Sequence, residues 1–175
     1  MLRRLTLGLA AALLPLAGLG FAAPADAAPS VVTLHYNASG ITHYSAQVVQ
    51  AVKNWDTRLK NVQLVSGGSA TITLHEINGG GSYTTTDGHG HGQIYIDRQQ
   101  VAQGFDPTRI LTHEFGHNLG LDDDYTGPCS EVMSGHGPGT ACKNAIPSAA
   151  EVAEADADFA NGFAAATTAA VHTLR

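Results

Sequence analysis

The segment DPTRILTHEFGHNLG, Asp106 to Gly120, constrains this chain more than any other. Asp106 is a helix N-cap type, Pro107 suits the first helical position, and Gly120 stands where a helix can stop by taking a positive φ. A helix marked at both ends places residues i and i+4 on one face, so His113 and His117 aim two imidazoles at one point. Two neutral imidazoles one turn apart suit zinc. Glu114 lies beside that point, where a carboxylate can take a proton from water on the ion without becoming a ligand.

A catalytic zinc takes three protein ligands and keeps the fourth position for water. Beyond Gly120 the chain reads Leu121-Asp122-Asp123-Asp124, so an acid can be turned back below the histidines. Counting on as HExxHxxGxxD favours Asp123, three residues after the glycine. Asp122 and Asp124 stay open as alternatives, because a turn of unknown geometry can aim either one inward.

The N-terminus bears on where such a site would work. Residues 1–28 have a positive start at Arg3 and Arg4, an apolar run from Leu5 to Leu19 broken by Pro15, and the small-residue signal Ala25-Asp26-Ala27. That pattern predicts a cleaved secretory signal peptide and a secreted, extracellular product. The remainder, 29–175, is the length of one domain. Net charge is −6 with only nine Lys and Arg, and no basic cluster follows the first residues. Nucleic acid and anionic lipid are therefore not expected partners, and no later apolar run is long enough to cross a membrane. Cys129 and Cys142 are the only two cysteines, and an exported chain is expected to join them.

The fold class predicted is α+β. VVTLHY (31–36) reads as a strand entering a turn at 37–40, and a helix follows over 42–60 with Thr42 as N-cap. VQLVS (62–66) and ATITLHEI (70–77) read as strands either side of Gly67-Gly68-Ser69. The glycine-rich run 78–92 shows no periodicity and is expected to be a long surface loop, with His89 and His91 on it exposed rather than metal-bound. QIYID (93–97) reads as a strand at or near a sheet edge, where an extended substrate could pair with it. Residues 125–147 are irregular, and Ser148 with Glu151 opens a C-terminal helix through a capping box.

HEFGHNLGLDD, followed by Met133 in SEVMSG and flanked by the two cysteines, resembles the snapalysin family, small secreted neutral zinc metalloproteinases of streptomycetes. The likeness extends over NVQLVSGG, the glycine-rich run and FDPTRILTHEFGHNLGL. It implies a metzincin-like zinc endopeptidase: a small twisted mixed sheet, an active-site helix, a Met-turn and a C-terminal helix. By position it implies zinc on His113, His117 and Asp123, Glu114 as general base, and Met133 as the apolar floor under the histidines. It further implies a substrate or proton-donor role for Tyr125, a structural calcium at Asp106 and Thr108, and preference for an aromatic residue just after the cut. The competing use of Asp106 is to cap its helix.

The expectation is thus a monomer that hydrolyses protein or peptide substrates outside the cell. Two other classes fit the same helix: a structural zinc-binding module, which needs a closed four-ligand shell, and a zinc hydrolase of small amides. The first strand begins only a few residues after the signal, so latency would rest on zinc being acquired outside the cell.

Overall fold

The computed structural model describes residues 30–160 and, as backbone, 170–173. The signal peptide expected over 1–28 lies outside the described residues. In chain order the elements are β1 (Val32–Gly40), α1 (Ser45–Asp56), β2 (Val62–Ser66), β3 (Ile72–Ile77), β4 (Tyr83–Thr86), β5 (Gly92–Asp97), a short α2 (Arg98–Ala102), α3 (Pro107–Asn118), a 3-10 turn (Val132–Ser134), α4 (Ala149–Asp158) and β6 (Ala170–Thr173). The architecture is α+β, as expected.

The strands form one mixed sheet in the order β2-β1-β3-β5-β4-β6. The first four are parallel neighbours, and β4 runs antiparallel to β5. Alternation explains which face is covered. Leu34, Ile72, Leu74, Ile94 and Ile96 are all buried, while their neighbours Thr73, His75, Gln93 and Tyr95 face the other way and are at least partly exposed. Helices α1 and α3 lie on the apolar face. Trp55 of α1 is fully buried and donates its Nε1–H to the Thr112 carbonyl of α3 at 2.8 Å, so the largest side chain in the core also fixes the position of the metal-type helix.

Four sequence expectations change. The turn expected at 37–40 is part of β1, which keeps pairing with β3 through a register shift between Asn37 and Gly40. Helix α1 starts at Ser45 rather than Thr42 and ends at Asp56. Its expected cap is engaged elsewhere: the Glu76 carboxylate accepts the backbone N–H groups of Thr42 and His43, both at 2.6 Å, and holds that stretch against β3. The glycine-rich run 78–92 is not all loop, because Tyr83–Thr86 pairs as β4. In consequence β5 is an interior strand, flanked by β3 and β4, and the edge on that side of the sheet is β6, beyond β4.

Candidate metal centre

Helix α3 is capped as its sequence predicts. Asp106 Oδ1 accepts from the Arg109 N–H at 2.9 Å, and Pro107 occupies the first turn. At the other end Gly120 takes φ 96°, the Gly120 N–H bonds the His117 carbonyl at 3.2 Å and the Leu121 N–H bonds the Gly116 carbonyl at 3.1 Å. Those two bonds form a Schellman ending, and a residue with a Cβ would be strained at that φ. The chain is thereby reversed at the point where an acid is needed.

The reversal brings Asp123 to the histidines. Its Oδ1 lies 3.2 Å from His113 Nε2 and 3.5 Å from His117 Nε2, and the two Nε2 atoms are 3.1 Å apart. Ligands held tetrahedrally at the usual zinc bond lengths lie about 3.3 Å from one another. The three donors therefore mark three corners of a tetrahedron sized for zinc. Asp123 is half-buried, whereas Asp122 and Asp124 are both exposed. The Asp124 N–H bonds the Met133 carbonyl at 2.9 Å, which ties the returning acid loop to the Met-turn segment.

Both imidazoles are set up to offer Nε2. His113 Nδ1 is 3.0 Å from the Val132 carbonyl and His117 Nδ1 is 2.8 Å from the Leu121 carbonyl. A carbonyl can only accept, so it selects the tautomer with the proton on Nδ1 and leaves Nε2 as the donor atom. Burial favours the neutral ring of His113. The hydrogen bond and charge of Asp123, with Glu114 and the Val132 carbonyl, outweigh burial and raise its pKa above the ordinary histidine value. A proton thus competes for the position that a cation would take.

Glu114 is fully buried and clusters with the two histidines, so its carboxylate is a rival third ligand. Its environment argues for another role. Glu114 Oε2 accepts the Thr84 hydroxyl of β4 at 2.7 Å, which holds the carboxylate toward the sheet edge. Asp123 has the better ligand spacing, and Glu114 is the group anchored beside it.

The floor of the site rests on close packing. A Cβ on Gly116 would come within 2.5 Å of Met133 Sδ and 3.3 Å of Trp55, so the glycine leaves room for the Met133 side chain against the helix between the histidines. Arg109, nearly fully buried, binds that segment together. It donates to the carbonyls of Glu131 (2.9 Å), Asn144 (2.6 Å) and Gly135 (3.3 Å), and to Ser134 Oγ (2.7 Å). Burial draws its pKa below the usual guanidinium value, while the nearby Glu151 and Asp106 carboxylates oppose that shift. Glu151 closes the arrangement from α4: Oε1 accepts the Met133 N–H at 2.7 Å and Oε2 completes the predicted capping box with the Ser148 N–H.

The other residues singled out from sequence fall as follows. Cys129 and Cys142 form the expected disulfide. Tyr125 is exposed, its ring packed on His136 at 4.7 Å. Asp106 caps α3, and the Thr108 carbonyl accepts from Thr112 Oγ1 at 2.9 Å. His91 pairs with Asp87 at 2.9 Å and His89 packs on Phe159. Sequence reasoning missed Thr84, Arg109 and Gly116, and read Glu151 as a helix cap without its bond to the Met133 N–H. The glycine inside a helix was the one readable signal, since it costs about 1 kcal/mol unless something needs the space.

A capped helix carrying HExxH, an acid returned by a glycine turn and a buried methionine packed on that helix mark the chain as one with a helix-borne, zinc-type donor cluster. Residues 31–162 match the model of the Streptomyces extracellular neutral proteinase (M7) family, and the chain belongs to that family. It is 48% identical over 139 residues to an extracellular small neutral protease of Streptomyces sp. (strain C5), a match covering 78% of this chain but only 60% of that relative's length. Over 132 residues it is 46% identical to the extracellular small neutral protease of Streptomyces caespitosus, covering 75% of this chain and 99% of the relative. Among solved structures, myroilysin is similar at 17% identity and a TM-score of 0.49, over 75% of this chain and 94% of that one. High choriolytic enzyme 1, a hatching enzyme zinc-protease from Oryzias latipes, is similar at 18% identity and a TM-score of 0.39, over 53% and 46%. No helix among the described residues is long and apolar enough to cross a membrane.

Proposed function

We propose that the protein is a secreted zinc endopeptidase whose metal is held by His113, His117 and Asp123, with Glu114 as general base. The observation that carries this reading is the mutual spacing of 3.1, 3.2 and 3.5 Å among two imidazole nitrogens and one carboxylate oxygen. Three protein ligands suit a catalytic rather than a closed structural site. Family membership and the extracellular, protease names of the relatives support the compartment and the reaction.

Zinc bound there supplies Lewis acidity and a water acidified to a pKa of roughly 7. Glu114 takes the proton of the attacking water and delivers it to the leaving amine nitrogen; the Thr84 hydroxyl keeps its carboxylate aimed during both transfers. Tyr125 serves as a hydrogen-bond donor to the substrate carbonyl as charge builds on its oxygen. An extended substrate pairs with the side of β4 away from β5, the side along which β6 lies in this structure, β4 being the strand bonded to Glu114. The preference for an aromatic residue after the cut rests on family resemblance; the cavity beside the first histidine, lined by Phe105, Asp106, Arg109, Ile110, His113 and Gly135, is about 10 Å³ and holds no more than a water. A structural calcium at Asp106 and Thr108 rests on family resemblance, and equilibrium dialysis against calcium tests it.

Casein hydrolysis by the wild type and Glu114→Gln, with zinc measured on both, tests the reading. The variant is expected to keep one zinc and lose about 10²- to 10⁴-fold in turnover. Two zinc-loaded proteins that both leave casein and peptides uncut would make the structural zinc module the better account. Hydrolysis confined to small amides would point to the second rival.

A further inference from the structure

The outer edge of β4 is already covered. Residues 170–173 form β6, antiparallel to β4, with Tyr83 opposite Thr173, Thr84 opposite His172, Thr85 opposite Val171 and Thr86 opposite Ala170. Thr84 is the residue whose hydroxyl holds Glu114 at 2.7 Å. The added strand therefore runs along the sheet edge nearest the catalytic base, in the extended form that a peptide substrate would take there.

Two further observations separate β6 from the scaffold. The family match ends at residue 162, so β6 belongs to the chain beyond the matched domain. The buried apolar core among the described residues runs from Val32 to Phe159, and the helix, caps and straps that build the metal centre all fall within those limits. A four-residue edge strand is also short, held by few ladder bonds, and open to exchange with another strand.

We propose that residues 170–173 are an internal competitor: they take the β4 ladder that an extended substrate needs, and substrate binds only as they leave. The inference rests on the reading of β4 as the substrate strand. A tethered segment presents itself at an effective concentration on the order of millimolar. Where the effective concentration exceeds the segment's own dissociation constant about tenfold, KM rises about tenfold and kcat is unchanged.

The full chain carrying Val171→Pro and His172→Pro together tests this. Successive strand amides point to opposite sides, so one of two adjacent prolines removes a donor facing β4 whichever register holds. Zinc content and thermal midpoint matching the wild type establish that the domain is intact. Amide exchange at Tyr83–Thr86 reports pairing without reference to activity, and steady-state kinetics on a fluorogenic peptide report competition. The expected result is exchange about tenfold faster at the β4 amides facing β6, KM about tenfold lower and kcat unchanged. A synthetic peptide of residues 168–175, added to the double variant, is expected to inhibit competitively.

Unchanged exchange overturns the pairing. Faster exchange with KM unaltered, or a peptide that does not inhibit, overturns the competition. Faster exchange in a zinc-loaded protein that cleaves nothing, wild type included, identifies failure of the endopeptidase reading itself, and the competitor falls with it.

Discussion

Thr84 contributes one hydroxyl to the centre of this molecule, and its bond to Glu114 Oε2 at 2.7 Å decides where a buried carboxylate points. For the general base proposed at Glu114, alignment is a positioning effect, so its loss should reach kcat before KM. Thr84→Val, which keeps the shape and removes the hydroxyl, is expected to lower kcat about tenfold with zinc retained, and Thr84→Ser to stay near wild type; stopped kinetics on one peptide with zinc content in parallel checks it. A Val variant as active as wild type removes Thr84 from the mechanism. That His113, His117, Glu114 and Asp123 come together could be read from sequence because helix periodicity and a glycine stop are local rules. Thr84 could not, since its partner lies 30 residues away on helix α3.

At the level of elements, the caps of α3 and α4 follow the sequence closely, because a cap joins residues three apart. What was misread joins distant ones. Strand β4 carries Tyr-Thr-Thr-Thr within a glycine-rich run, with no apolar alternation, and it exists because β5 pairs with it. Missing it made β5 look like an edge. Glu76 likewise overrides the local helix signal at Thr42 by collecting two N–H groups from 33 and 34 residues away. Partial burial raises the Glu76 pKa, but hydrogen bonds from His43 and Thr42 prevail and hold it below the ordinary carboxylate value. Its stabilising contribution is therefore complete above the unfolded pKa of about 4.3 and is lost as pH falls through the folded value. Glu76→Gln is expected to cost about 1 kcal/mol at pH 7 and to flatten the fall of stability below pH 4, measured by urea unfolding across pH. An unaltered acid profile would contradict that role.

Arg109 works at the same scale, joining α3 to the segment that carries Met133. Its removal leaves several buried carbonyls without their donor, a more serious defect than loss of a surface charge. Arg109→Met is expected to destabilise by about 3 to 5 kcal/mol, seen as a lower urea midpoint, and to weaken zinc binding by loosening the Val132 carbonyl from His113. A variant of wild-type stability would show that the Met-turn holds without this strap.

Over the whole molecule, one sheet, two crossing helices and a disulfide-closed loop converge on a site at the sheet margin. The α+β class, the metal-type helix and the paired cysteines were readable in the chain; the strand order was not, because it is set by which non-local ladders win. The measurement closest to the central claim is zinc affinity, by competition with a chelating indicator, for the wild type, Asp123→Ala and Glu114→Ala. Asp123→Ala is expected to lose at least about 100-fold in affinity, while Glu114→Ala keeps wild-type affinity and loses turnover. If Glu114→Ala loses the metal and Asp123→Ala keeps it, the third ligand is the buried glutamate and the assignment of ligand and base is wrong.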